Sequence, residues 1–176
     1  MDKVIRCGLY LGLALCAALP KQALAHGAHA PQETTGKPEA AAEQKAEAQV
    51  LEVLARYQAA MEARSVDKLG EIMHPGVLVL EGIHKNVGWP DYRDNHIGPE
   101  MKEWKEFKTL GRNVIEVAVH GDFAYAVQEA TYSIVMAEKA VTLAAAETLV
   151  LKKGPEGWRI KHVHFSGKAK ERAAKP

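Results

Sequence analysis

The sequence predicts an α+β domain, with helices from the first half packed on one face of a curved antiparallel sheet built by the second half. Two observations carry this. In "VLEVLARYQAAM" the apolar residues Val50, Leu51, Leu54, Tyr57 and Met61 recur at helical spacing. Later the chain becomes a series of apolar, β-branched and aromatic runs: "GRNVIEVAVHGD", "FAYAVQEATYSIVMAEKA", "VTLAAAETLVLKK" and "GWRIKHVHFSG". Glycine-containing turns, "HGD" and "KGPEG", join the first pair and the last pair as hairpins. At 176 residues the chain suits one domain with a sizeable core.

The start of the chain reads differently. "MDKVIR" is short and mildly basic, "CGLYLGLALCAAL" is apolar, and "PKQALA" ends in a small-x-small pattern. This is the layout of a secretory signal peptide over residues 1–25, cleaved after Ala25, and the apolar run is too short for a comfortable membrane span. The expected product is exported, periplasmic or secreted, and free of the membrane after cleavage. Leu15 before Cys16 argues against lipid attachment. Both cysteines, Cys7 and Cys16, lie in the segment to be removed, so disulfides, thiolate metal sites and cysteine nucleophiles are excluded from the mature protein. Removing Lys3, Arg6, Lys21 and Asp2 takes the formal charge from +1 to about −1. Without a basic stripe there is no electrostatic reason to bind nucleic acid. Residues 26–40 read as a flexible arm with His26 and His29, residues 41–168 as the folded domain, and residues 169–176 as a basic frayed tail.

Within the domain, helical composition begins near Glu39. "SVDKLGEIM" forms a short second helix, with Ser65 or Asp67 as cap and "HPG" as its stop. "VLVLEGI" is a strand. "GWPDYRDNHIGPEMKEWKEF" gives one or two helical turns, interrupted by Pro90 and by Gly98-Pro99. No glycine-rich phosphate loop and no G-x-S-x-G elbow occurs.

This order, with "YQAAMEARSVDKLGEIMHPGVLVLEG" and "WRIKHVHFS", resembles the SnoaL-like branch of the nuclear transport factor 2-like superfamily, over roughly residues 44–167. The resemblance implies a cone: a curved sheet wrapped around the long first helix, open at one end as a pocket. It also implies a homodimer through the outer sheet face. The superfamily includes isomerases, cyclases, dehydratases, epoxide hydrolases and non-catalytic binding modules, so the fold alone fixes no activity.

Strict alternation along the last strand places Trp158, Ile160, His162 and His164 on one face, which in a cone looks inward. Val163 and Phe165 then face out, available for a dimer contact. The resemblance implies a general base at Glu81, on the strand where the superfamily's isomerases carry a carboxylate; burial there would raise its pKa. His162 is the accompanying acid–base candidate. Tyr57 is the one legible hydroxyl donor, and no second acid–tyrosine pair stands out. Tyr92 and His96, four residues apart, share a helical face with Trp89 close by; the resemblance lays this segment over the pocket mouth. Glu147 shares its face with Leu149 and Leu151 and needs a partner, for instance an imidazole from His162 or His164.

The expected function is binding of a small, partly apolar ligand, with acid–base turnover of the isomerase or dehydratase kind. The expected pocket is lined by Tyr57, Trp89, Tyr92, His96, Glu147 and His164 beside Glu81 and His162. The alternative is periplasmic copper or zinc binding through His96, His162 and His164, with His26 and His29 as a weaker capture arm. Copper or zinc is the candidate cofactor. A third reading makes the histidines plain packing in an interaction module.

Overall fold

The computed structural model describes residues 36–137 and 139–169. The expected signal peptide, His26, His29 and the tail from residue 170 lie outside them. The long helix α1 (Gly36–Glu62) begins a few residues before Glu39. Its buried stripe is Val50, Val53, Leu54, Tyr57 and Ala60, whereas Leu51 is 42% exposed. Helix α2 (Val66–Ile72) starts at Ser65, whose hydroxyl accepts from the Lys68 amide at 3.3 Å. It buries Leu69 and Ile72.

Strand β1 (Met73–Glu81) follows at once, so His74, Pro75 and Gly76 sit inside a strand rather than in a stop. The chain reverses at Gly82, whose φ of 57° lies in the left-handed region that glycine tolerates, into the short strand β2 (His84–Val87). Helix α3 (Trp89–Tyr92), a π-helical turn over Arg93–Ile97 and helix α4 (Gly98–Glu103) then form one unbroken helical run. Gly98 does not interrupt it. A Cβ there would lie 2.3 Å from the Arg93 carbonyl oxygen, so glycine lets the wide turn close.

Four long strands complete the chain: β3 (Glu106–His120), β4 (Phe123–Val135), β5 (Ala140–Gly154) and β6 (Gly157–Ala169). The curved, open sheet has the order β2-β1-β6-β5-β4-β3. All neighbours pair antiparallel except β1 and β6, which run parallel. Val50, Leu54, Leu69, Val77, Leu149, Leu151 and Ile160, all fully buried, belong to one core between helices and sheet.

One irregularity decides the inner face. Along β6, Ile160 pairs with Leu151 and His162 with Val150, leaving Lys161 as an extra residue. On the other side the β1 register shifts between Met73 and Leu78, and the Lys161 ammonium donates to the Gly76 carbonyl. Such a bulge inverts the alternation beyond it. Trp158 and Ile160 face the core before it; Val163, 2% exposed, and Phe165 face inward after it. The expectation that His162 and His164 look into the cone, with Val163 and Phe165 outside, is therefore corrected.

Candidate functional site

A cavity of about 250 Å³ lies between α1, the helical run and the inner face of the sheet. Its walls are mainly apolar, with Met61, Val79, Ile97, Trp104, Phe107, Leu143, Val163 and Phe165 among them. Its polar groups are few. Tyr57, Glu81, Tyr92 and Glu147, each singled out in the sequence, line it, together with Glu100 and Tyr132.

Glu147 is 2% exposed. Tyr132 donates its hydroxyl to Oε1, and Gln128 Nε2 donates to Oε2 at 2.7 Å. Both partners come from β4, because Gln128 stands directly opposite Glu147 and even-numbered residues of β4 face inward. The partner is thus a tyrosine and an amide, not an imidazole of β6. Phe165 is the β6 residue opposite Glu147. Burial pushes the Glu147 carboxyl above the usual glutamate range, against the downward pull of those two hydrogen bonds. Burial also raises Tyr57 and Tyr132, and the Glu147 charge adds to both, so these hydroxyls keep their protons. The acid–tyrosine pair that the sequence did not reveal is Glu147–Tyr132. Its signal was the shared inward parity of Gln128 and Tyr132 on β4.

A second polar group forms where β1 meets the helical run. His96 Nε2 lies 3.2 Å from Glu81 Oε2 and 3.5 Å from Glu100 Oε1. Its Nδ1 is 2.7 Å from Asn86 Oδ1. Asn86 Nδ2 reaches Asp91 Oδ2 at 3.3 Å, and Asp91 also accepts from the Val87 amide and Asn95. With the Asn86 amide held in that sense, its oxygen faces His96, so Nδ1 carries a proton and Nε2 addresses the carboxyls. Burial raises the Glu100 carboxyl, and the neighbouring Glu81 adds to the rise while His96 opposes it. The Tyr92 ring packs edge-on against His96 at 5.3 Å. His96 therefore stands behind Glu81 rather than on the cavity wall.

The remaining expected residues lie elsewhere. Trp89 packs over Gly70 of α2, where a Cβ would meet the indole at 3.2 Å. His162 Nδ1 donates to the Leu78 carbonyl at 2.9 Å, and His164 is exposed opposite Thr148. His96, His162 and His164 do not converge, because the bulge turns the last two away from the inner face. Among the described residues no group of three or more His, Cys, Asp or Glu is placed to hold a metal ion.

A curved sheet over a long helix, enclosing a small cavity with carboxyl and phenol groups, defines a class of cone-shaped ligand-pocket domains. The SnoaL-like domain family matches residues 50–169, and the chain belongs to that family. No curated protein matches the chain. Among solved structures it is similar to a nuclear transport factor 2-like superfamily protein from Salmonella enterica serovar Typhimurium. Identity is 20%, 76% of this chain and 98% of that one are covered, and the TM-score is 0.64. It is also similar to a ketosteroid isomerase-like protein from Erwinia carotovora, at 16% identity over 70% and 97%, with a TM-score of 0.60. The hexachlorocyclohexane dehydrochlorinase LinA-type3 from Novosphingobium barchaimii matches at 16% identity over 73% and 88%, with a TM-score of 0.58. At these identities the likeness establishes the fold.

Proposed function

We propose that the protein takes a small, partly apolar ligand into the cavity and acts on it by acid–base chemistry. The observation that carries this is the pairing of apolar walls with two separate carboxyl centres, Glu81 and Glu147, on one cavity. Glu81 is the proton acceptor, and His96, whose Nδ1 proton goes to Asn86, presents Nε2 at 3.2 Å to take on the proton that Glu81 accepts. Tyr57, which lines the cavity and keeps its proton, supplies a hydroxyl donor for negative charge that develops on the ligand. The names of two structural neighbours, a dehydrochlorinase and a ketosteroid isomerase-like protein, support the reading as a class of chemistry. The pattern of residues 1–25 supports export to the periplasm or beyond. The outer sheet face, with Tyr125, Val127, Thr148 and Val150, is the proposed homodimer surface.

The test is deuterium wash-in at the α-carbon of cyclohexanone, followed by NMR. Catalysed exchange is expected, falling about 100-fold or more in Glu81→Gln, the usual size of a lost general base. Exchange that Glu81→Gln leaves unchanged refutes Glu81 as the base. Binding without exchange keeps the ligand site and removes turnover.

A further inference from the structure

The cavity is electrostatically one-sided. Among the described residues, its lining includes the carboxyl side chains Glu81, Glu100 and Glu147 and no lysine, arginine or histidine. Four of its aromatic rings run in series: Trp104 to Phe107 at 5.1 Å, Phe107 to Tyr132 at 5.0 Å and Tyr132 to Phe165 at 6.5 Å. Carboxyl groups among aromatic rings form a receptor for an organic cation. The rings attract positive charge, and a carboxylate offsets its desolvation.

Glu81 and Glu100 already face His96. Glu147 does not. Its hydrogen-bond partners, Tyr132 and Gln128 on β4, are neutral. The other groups that bear on it are Tyr57 of α1, Tyr92 of α3, Glu81 of β1 and Arg112 of β3. Arg112 is the one cation in that set, and its guanidinium donates to the Leu54 carbonyl at 3.0 Å. Among the described residues, a deeply buried carboxyl thus lines the cavity with no cation in contact.

We propose that the preferred ligand is a small hydrophobic amine bound as its ammonium ion, with the charge at the Glu147 end and the apolar body along the aromatic wall. This rests on the cavity being the ligand site, and it narrows the ligand class. An anionic ligand of the same shape would meet three carboxyl groups and is rejected. Below the raised Glu147 pKa, ammonium binding also releases a proton. Burial favours the neutral acid in the empty cavity, and an adjacent ammonium favours the carboxylate, so the Glu147 proton leaves to solvent. Affinity therefore rises with pH through the range where Glu147 ionises, up to the amine's own pKa near ~10.

The experiment is isothermal titration of the protein with phenethylammonium, phenethyl alcohol and phenylacetate, in two buffers of different ionisation enthalpy. Phenethylammonium is expected to bind about tenfold or more tighter than the alcohol, as a cation–π contact and a charge-assisted hydrogen bond imply. Its apparent enthalpy is expected to differ between buffers, phenylacetate is expected not to bind, and Glu147→Gln is expected to remove the preference while keeping alcohol binding. Alcohol binding as tight as the ammonium overturns the amine inference and leaves the ligand-site reading standing. A preference that survives Glu147→Gln also overturns it. Binding of none of the three overturns both.

Discussion

Replacing Glu147 by glutamine isolates one buried proton. The side chain is 2% exposed, and burial raises its carboxyl above the usual range. In the unfolded chain it titrates near ~4.3. As pH rises through that value the unfolded state loses the proton first, while the folded state keeps it until the higher folded pKa is passed. The folded state binds more protons across this window, so stability falls as pH rises, with a slope of up to about 1.4 kcal/mol per pH unit for one group. Glutamine has the same shape and no proton to lose. Its amide can still accept from Gln128 and face the Tyr132 oxygen, so the pH-independent cost is about 1 kcal/mol. Urea unfolding of both proteins at half-unit steps from about pH 4 to 8 measures the difference, in which shared titrations cancel. The variant should gain on the parent as pH rises from the unfolded glutamate value, and the gain should stop once Glu147 is ionised in the folded protein. Stability curves that stay parallel throughout would refute the raised pKa and the burial behind it.

Two further substitutions test the backbone that positions the site. Gly98→Ala would gain about 1 kcal/mol in an ordinary helix interior; here the 2.3 Å approach to the Arg93 carbonyl should reverse the sign, read as a lower urea midpoint. Deleting Lys161 removes the bulge residue and forces either Val163 and Phe165 or Trp158 and Ile160 off the inner face. Each apolar side chain so exposed costs about 1.5–3 kcal/mol, and an unchanged unfolding midpoint would contradict the role given to the bulge.

Much of this fold is local and therefore readable in the sequence. The stripe around Leu54 and Tyr57, the Ser65 cap and the four long strands with their glycine turns follow from short-range periodicity and turn chemistry. The parallel pairing of β1 with β6 is not local, because the strands are separated by most of the domain. The inward set of β6 was obscured by assuming one uniform period. Trp158, Ile160, Val163 and Phe165 are spaced two, three and two apart, and that break in apolar spacing is the bulge in the sequence itself. A period of two imposed over it turns His162 and His164 inward, which is how the histidine-cluster expectation arises. Glu147 was legible as a carboxyl in an apolar strand. Its partners were not, because choosing Tyr132 and Gln128 over an imidazole requires the β4–β5 register and the parity of β6 together. His96 was marked by its spacing from Tyr92, whereas its link to Glu81 depends on how the helical run docks beside β1.

The most direct test of the central claim, that this cavity is a ligand site built around a buried carboxyl, is a carbon-detected NMR titration of the glutamate side chains with Glu147→Gln as the assignment control. The Glu147 carboxyl is predicted to titrate above the usual glutamate range and to shift when phenethyl alcohol or phenethylammonium is added. A Glu147 signal that titrates in the ordinary range and ignores both compounds would contradict it.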